Sequence, residues 1–321
     1  MTLDSVFRKN KNIIINTDID GFLSGMILQK YYGCRIVGLS NSWDCVWIDP
    51  EYEASTDNAL ESPVYIDLYV AAPSVICIEQ HIIGYDEEHN RRIASMQTKI
   101  NPNLMRPGRT FSGDYFHKYP FGTVHFLIAL MEREGIHVEL PLLHTTATQR
   151  AAKYGLTAGD ILLRADDALF SSLGRYKANT DEWWPWLLEL SGNAESIRSM
   201  IEHIEHTPSQ QNFEVKRRTG DYFTKEFHCS GTDGAFKNIT DNSGNLLSHV
   251  LEYSHEICQM MGMALHLPKR YNIHKGIAST MRYQGNGEDL DANNTPDLYS
   301  YAFIYGRNSS NNNLSYTIRM Q

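Results

Sequence analysis

The sequence predicts an α/β protein in which a parallel-sheet N-terminal domain with a helical insert precedes a smaller α+β C-terminal domain. Three observations carry this prediction. Short apolar runs in the first hundred residues alternate with crossover segments, which is typical of a parallel sheet. Residues 147–206 show mainly helical patterns, and turn signals typical of hairpins follow the linker-like residues 207–212. We therefore place the domain boundary between residues 206 and 207.

The first predicted unit is a strand followed by a helix. Residues 12–16 (Asn-Ile-Ile-Ile-Asn) are a continuous β-branched run, which is typical of a buried strand. Helical spacing follows from Phe22 to Tyr32 and stops at Gly33, because glycine commonly ends helices. Further apolar runs predict strands at residues 35–39, 45–48, 63–67 and 74–78.

Later segments are more polar. Residues 86–118 carry several arginines, prolines and glycines, and we interpret them as an irregular, substrate-facing loop. The sequence pattern of residues 123–134 predicts a helix. Hairpin signals near residues 218–221 and 308–313 flank a further helix predicted near residues 244–263, which completes the α+β domain.

The composition excludes several classes of protein. The 321 residues carry a net charge of −9, from 29 Lys and Arg against 38 Asp and Glu, and 42% are hydrophobic. This balance is typical of a globular protein and not of a disordered chain or one that coats duplex DNA. No apolar run reaches the roughly 18 residues of a membrane span, and no secretory signal pattern is visible. Because the five cysteines are scattered without a Cys-x-x-Cys pair, we predict a cytoplasmic protein. The lack of an apolar span predicts that it has no membrane partner.

Acidic residues follow the predicted strands. Because the C-terminal ends of parallel strands meet at one edge of a sheet, side chains at these positions converge. The positions concerned are Asp18, Asp20, Asp67 and residues 79–81 (Glu-Gln-His). Asp166 or Asp167 would add a fourth carboxylate, and so many negative charges require a cation between them. Oxygen ligands of this kind suit one or two Mn²⁺ or Mg²⁺ ions, which activate water for phosphoryl chemistry. Taken alone, Asp-x-Asp-Gly is also typical of a turn in which aspartate caps a helix.

These segments together resemble the motifs of the DHH (Asp-His-His) phosphoesterase family. The segments that resemble its first three motifs are residues 16–24 (Asn-Thr-Asp-Ile-Asp-Gly-Phe-Leu-Ser), 65–67 (Tyr-Ile-Asp) and 78–81 (Ile-Glu-Gln-His). Residues 121–124 resemble its small-residue helix start, and residues 164–167 resemble its fourth motif. Residues 245–320 resemble the start of its accessory DHHA1 domain. The resemblance thus implies a DHH-like metal and phosphate domain at residues 1–206 and a DHHA1-like substrate domain at residues 207–321.

The resemblance also implies roles for the acidic residues. Asp18 and Asp20 would each bind a metal ion, Asp67 would bridge the two ions, and Asp166 would complete the second site. His81 would face the substrate phosphate. The implied catalytic set is Asp18, Asp20, Asp67 and His81.

Three positions depart from the family pattern, and three arginines complete the candidate site. Gln80 stands where the family has a metal-binding histidine, Glu79 replaces the leading aspartate of that motif, and Asn16 stands where exonuclease members have an acid. An amide oxygen can still bind a metal, although more weakly than imidazole or carboxylate. Arg106 and Arg109 are candidate phosphate contacts because the arginine fork matches phosphate. By the same resemblance, Arg319 would correspond to the arginine that ends a strand of the accessory domain, and it is a further candidate substrate contact.

Three functional hypotheses follow. The first is a DHH-like metal-dependent phosphoesterase that hydrolyses a phosphodiester or phosphoanhydride in a nucleotide or a short single-stranded nucleic acid. The second is a catalytically degenerate relative that binds a nucleotide or a partner, because Asn16 and Gln80 replace ligands. The third is a haloacid-dehalogenase-like phosphatase with Asp18 as the covalent nucleophile, since Asp-x-Asp-Gly after a strand also opens that family. That family runs from this motif into a loop rather than directly into a helix.

Overall fold

The computed structural model describes residues 2–106, 108–174, 177–290, 294–305 and 312–321. It shows a mixed α/β fold with a seven-stranded, mostly parallel sheet and a small antiparallel sheet. The strands are β1 (Asn12–Asn16), β2 (Arg35–Ser40), β3 (Cys45–Ile48), β4 (Val64–Ile66), β5 (Cys77–Ile78), β6 (Lys99–Ile100), β7 (Asn272–Lys275), β8 (Ile277–Arg282), β9 (Leu298–Tyr305) and β10 (Asn312–Ile318).

Helices surround the large sheet. Those in the described part of the chain are α1 (Leu3–Phe7), α2 (Ile19–Tyr32), α3 (Pro50–Glu53), α4 (Glu87–Ser95), α5 (Pro102–Met105), α6 (Phe111–Asp114), α7 (Thr123–Arg133), α8 (Gln149–Lys153), α9 (Ala158–Leu162), α10 (Ala168–Leu173), α11 (Lys177–Leu190), α12 (Glu195–His206), α13 (Asn212–Phe227) and α14 (Ser248–Met261). The mixed α/β class predicted from the sequence is therefore confirmed.

The large sheet has the order β6-β5-β4-β1-β2-β3-β7. Neighbouring strands from β6 to β2 run parallel, whereas β3 and β7 add two antiparallel pairings at one side. The central strand β1 is completely buried at Ile13, Ile14 and Ile15, which belong to hydrophobic clusters on the two faces of the sheet. A continuous apolar run is expected for a strand that is covered on both faces.

The first turn of α2 lies directly against the end of β1. Asp18 caps this helix, since its side chain accepts a hydrogen bond of 2.9 Å from the backbone N–H of Gly21. A Cβ atom at position 21 would lie 2.2 Å from the carbonyl oxygen of Asn16, so only glycine fits. The helix ends, as predicted, at Gly33, whose φ is 65°. This close contact places the polar residues that follow β1 next to those of α2.

The interpretation of residues 86–118 as an irregular loop is wrong. This segment contains α4, α5, α6 and the parallel strand β6. In α4 the charged residues Glu88 and Arg91 are exposed, and Glu88 pairs with Arg91 and with the half-buried Arg92. Its buried residues include Asn90 beside Ile93, so the segment has little apolar periodicity to read from the sequence.

The hairpin predicted near residues 218–221 is also wrong, because these residues lie within α13. Gly220 is buried there against the loop that follows the helix. A Cβ atom at this position would lie 3.2 Å from Cβ of Thr232. Close packing between helix and loop, and not a turn, therefore explains this glycine.

The second predicted hairpin corresponds to β9 and β10, which pair antiparallel. The turn signal at residues 308–313 falls mainly on residues 306–311, which lie outside the described residues. With β8 these strands form the small antiparallel sheet, in the order β8-β10-β9. The elements on both sides of the predicted boundary at residues 206 and 207 share one core: α14 packs on α2 through the rings of Tyr253 and Phe22, whose centroids are 5.0 Å apart. Strand β7 extends the large sheet.

Candidate metal centre between the two sheets

A cavity of about 310 Å³ lies between the C-terminal ends of the parallel strands and the small sheet. One side carries charged and amide groups, which we call the acidic wall: Asn16, Asp18, Asp67, His81 and Asp166. The other side includes residues of β9 and β10. The structure therefore brings three of the four predicted aspartates to one cavity. Asp18 and Asp67 lie there as expected for residues that follow adjacent parallel strands, whereas Asp166 reaches it from the turn between α9 and α10.

Asp67 lies at the centre of the acidic wall and is fully buried. Its Oδ1 accepts a hydrogen bond of 2.8 Å from the hydroxyl of Thr123 and lies 3.0 Å from Nε2 of His81. Its Oδ2 accepts one of 3.0 Å from the side-chain amide of Asn16. Burial alone raises the pKa of Asp67, but His81 and these hydrogen bonds hold it below its ordinary value. The carboxylate is thus kept charged and in one orientation.

His81 and Asp166 complete a possible cation site with Asp67. One ligand atom from each of the three residues lies within 4.8 Å of the others. The side chain of His81 is 35% exposed, so the cluster can be reached from the cavity. Burial alone lowers the pKa of His81, but the adjacent Asp67 carboxylate raises it to about 10. At neutral pH the imidazole is therefore protonated, and a cation bound here has to displace that proton.

The two amides connect the acids of this wall. The Nδ2 atom of Asn16 donates to Asp18 at 2.7 Å as well as to Asp67, and its Oδ1 accepts from the backbone N–H of Thr17. The Nε2 atom of Gln80 donates to Oδ2 of Asp166 at 2.6 Å. Both amides act here as hydrogen-bond donors to carboxylates. This arrangement relieves repulsion between the acids without adding charge.

Asp20 has a different position from the other aspartates. It is 2% exposed and does not line the cavity. Its two oxygens accept hydrogen bonds from the first backbone N–H groups of α7, at 2.6 Å from Thr123 and 2.8 Å from Val124. These N–H groups have no partner within the helix, and a carboxylate is a favourable acceptor for them. Asp20 therefore joins α2 to α7.

Asp166 is held in an unusual backbone conformation. Both Asp166 and Asp167 have positive φ values, 48° and 57°, in the left-handed region. The carboxylate of Asp167 pairs with the guanidinium of Arg164 and, at 2.6 Å, with Nζ of Lys216 on α13. Arg164 also donates to the carbonyl of Thr232 at 2.7 Å. These contacts stabilise the turn that presents Asp166 to the cavity.

The structure does not bring the three predicted phosphate-binding arginines to the cavity. Arg109 pairs at 3.0 Å with both Asp114 and Glu182. The guanidinium of Arg106 lies 4.5 Å from the ring centre of Trp183. Arg319 pairs at 3.0 Å with Asp297 on the surface. These three arginines therefore bind acids or stack on an aromatic ring away from the cavity.

The sequence analysis did not identify three residues that belong to the site. Thr123 is bonded to both Asp67 and Asp20, and a small residue at a helix start was its only signal. Asp233 lines the cavity from the loop after α13, without a preceding strand to mark it. Ser315 lines the opposite wall on β10. The cavity brings these three residues together from distant parts of the sequence, so no local pattern could connect them.

Within the described ranges, every helix is too short or too polar to cross a membrane. Comparison of the chain with protein-family models, with curated proteins and with solved structures found no match.

Proposed function

We propose that the chain is a metal-dependent phosphoesterase, a divergent relative of the DHH phosphoesterases. The observation that carries this proposal is the cluster of Asp67, His81 and Asp166, which is open to a cavity. Asp67 and His81 follow the adjacent strands β4 and β5, and Asp166 lies in the turn between α9 and α10. Two carboxylates and an imidazole suit Mn²⁺, and less well Mg²⁺, which prefers oxygen ligands. Bound there, such an ion would lower the pKa of water and neutralise charge on a phosphoryl group.

The acidic residues that line the cavity favour the binding of a cation because of their negative charge. The carboxyl groups on its lining are those of Asp18, Asp67, Asp166 and Asp233, whereas His81 is the basic side chain among the lining residues that the structure describes. Carboxylates gathered in this way repel one another unless protons or cations lie between them. A divalent cation would stabilise the arrangement.

Asp67 and Asp18 have different roles in the proposed reaction. Asp67 is oriented by Thr123 and Asn16, so it can hold a ligand without reorganising. Burial and the neighbouring Asp67 carboxylate raise the pKa of Asp18 well above its ordinary value. A carboxyl group with a raised pKa is suited to take a proton from water and return it to a leaving oxygen. We assign this proton transfer to Asp18.

We assign one cation, and not two, to this chain. The oxygens of Asp20 are already engaged by the N–H groups of α7, which leaves Asp20 poorly placed to bind a second ion. The dehalogenase-like alternative is disfavoured because α2 begins at Ile19, immediately after Asp18, with no intervening loop.

Titration with Mn²⁺ by calorimetry tests the cation site. We expect one ion per chain for the wild type, and an affinity at least about 10-fold lower for Asp166→Asn, which removes a charged ligand. The matched control is Asp297→Asn, whose carboxylate pairs with Arg319 on the surface, and it should bind Mn²⁺ like the wild type. Equal affinity in wild type and Asp166→Asn would remove the basis of the proposal.

Activity is tested with bis(p-nitrophenyl) phosphate in the presence of Mn²⁺ and after chelation with EDTA. We expect hydrolysis that is lost with the metal and lost in Asp166→Asn, whereas Asp297→Asn stays active. Binding of Mn²⁺ and of nucleotides without turnover of any phosphodiester would instead support the degenerate, ligand-binding alternative.

A further inference from the structure

One face of the small sheet presents small, uncharged residues to the cavity, beside the lining tyrosines Tyr299, Tyr301 and Tyr316 of the same strands. Strand pairing places Ala302 opposite Ser315 and Ser300 opposite Thr317. Because side chains alternate along a strand, these four residues share one face of the small sheet, and all four line the cavity. We call this group the hydroxyl wall. Phe303 and Leu314, on the alternate positions, belong to a hydrophobic cluster.

Ser315 supplies an independent indication that this wall receives a ligand. The residue is 6% exposed, and its hydroxyl is buried without a hydrogen-bond partner. Buried hydroxyl groups are nearly always paired, since leaving one unpaired destabilises the folded protein. Thr317, on the same wall, is by contrast paired with the backbone carbonyl of Trp43. The open hydrogen bond of Ser315 is therefore a place where a bound molecule gains an interaction.

Charge limits which molecule this can be. The lining residues that the structure describes include four carboxylates and contain neither lysine nor arginine. A divalent cation replaces the proton on His81 and offsets two negative charges, so at least one carboxylate charge stays uncompensated even when Asp18 holds a proton. Each phosphate beyond the first would meet uncompensated like charge. The cavity thus suits a molecule with one phosphate at the cation and an uncharged remainder.

The border of the cavity offers a surface for a ring. Trp43 lines the cavity and is 42% exposed, so its indole is available for stacking. Trp43 adjoins the hydroxyl wall, because the hydroxyl of Thr317 donates to its backbone carbonyl. A volume of about 310 Å³ is at the low end of small-molecule sites and is small for a polymer strand.

We propose that the hydroxyl wall recognises an uncharged, hydrogen-bonding ring group, so that the preferred ligand is a nucleoside-sized phosphoester with a single phosphate. Polyphosphates and longer strands are excluded by charge and by size. Ser315 is the specificity-determining residue, through a hydrogen bond from or to its hydroxyl. This inference rests on the proposed function for the position of the phosphate at the cation.

Calorimetry with two probes tests it on the full chain with Mn²⁺ present. Adenosine 5′-monophosphate should bind at least about 10-fold more tightly than inorganic tripolyphosphate. Ser315→Ala should weaken binding of the monophosphate by about 3- to 10-fold, because one hydrogen bond is lost. The same variant should raise the Tm of the free protein by about 2 °C, because an unpaired buried hydroxyl is removed. Ser279→Ala, exposed on β8 opposite Tyr316, is the matched control and should change neither quantity.

The outcomes separate this inference from the proposed function. Tripolyphosphate binding equal to or tighter than that of the monophosphate would overturn it, as would a Ser315→Ala variant with a lower Tm and unchanged affinity. If Mn²⁺ binds and neither probe does, the inference is wrong while the metal site stands. If the monophosphate binds in a Ser315-dependent way without any cation, the hydroxyl wall is supported and the proposed metal chemistry fails.

Discussion

The two walls of the cavity differ in how completely their polar groups are paired. In the acidic wall, Asp67 alone has contacts with three side chains, and Asn16 joins it to Asp18. In the hydroxyl wall, Ser315 has an unpaired hydroxyl on a face of small residues. A polar group whose hydrogen bonds are made within the protein is oriented before a ligand binds. An unpaired polar group can form its hydrogen bond with the ligand. This contrast is expected if the acidic wall carries out the proposed phosphoryl chemistry and the hydroxyl wall recognises the ligand.

The rigidity of the acidic wall comes from the junction of β1, α2 and α7. Gly21 allows α2 to contact the end of β1, and Asp20 ties α2 to the start of α7. The hydroxyl wall, on one face of a three-stranded sheet, has no comparable junction in the described residues. Substitutions at the junction should therefore cost far more stability than substitutions of the same type on the hydroxyl wall.

The largest effect is expected for Gly21→Ala. A Cβ atom here would lie 2.2 Å from a backbone oxygen, which cannot move without shifting β1. We expect the free energy of unfolding in urea to fall by about 3 kcal/mol or more, since overpacking against backbone is poorly relieved. Ser300→Ala on the hydroxyl wall is the comparison, and it should change stability by less than about 0.5 kcal/mol. Similar losses for the two variants would mean that the walls do not differ in rigidity.

The sequence predicted the acidic wall better than the hydroxyl wall for a physical reason. Strand β1, helix α2 and the aspartates after β1 and β4 produce local patterns, and parallel strands bring their C-terminal ends together whatever the rest of the chain does. The backbone at Asp67 and Asp166 has positive φ, and the residue types at these positions did not allow us to predict this conformation. Ser315 is one serine in a polar strand, and its unpaired state depends on neighbours distant in sequence.

The role of Asp20 shows the limit of motif spacing. An Asp-x-Asp pattern places two carboxylates near a strand end, but it does not decide which of them a neighbouring helix will take as a cap. The start of α7 lies about a hundred residues along the chain and engages Asp20. Two other errors have the same cause. The many charged residues of α4 left no apolar pattern from which to predict a helix, and Gly220, which is required by close packing, was interpreted as part of a turn.

The second prediction concerns Asp20→Asn. Because an amide has one acceptor oxygen, one of the two hydrogen bonds from α7 is lost and its buried N–H group is left unpaired. We expect a loss of about 2 kcal/mol in the free energy of unfolding. The Mn²⁺ affinity should change by less than about 3-fold, well below the loss expected when a group that supports the metal is removed. Asp297→Asn, near β9, should leave both quantities nearly unchanged. A large loss of Mn²⁺ affinity in Asp20→Asn would restore Asp20 as a ligand and a second ion with it.

The smallest effect should appear as a pH dependence of the junction. His125 on α7 is fully buried: its Nδ1 accepts from the backbone N–H of Gly122 at 3.0 Å, and its Nε2 lies 3.1 Å from the carbonyl of Leu162. Burial lowers the pKa of His125 to about 4, and the Gly122 contact requires a neutral ring. Between about pH 6.5 and pH 4 the unfolded chain takes up a proton at this position that the folded chain refuses, so stability falls as the pH falls. From pH 7.5 to pH 5.5, urea unfolding of the wild type should lose about 1.4 kcal/mol more than that of His125→Gln, whose side chain does not titrate. Parallel pH profiles for the two proteins would show that the ring is protonated in the fold and that the start of α7 is less rigid than its hydrogen bonds imply.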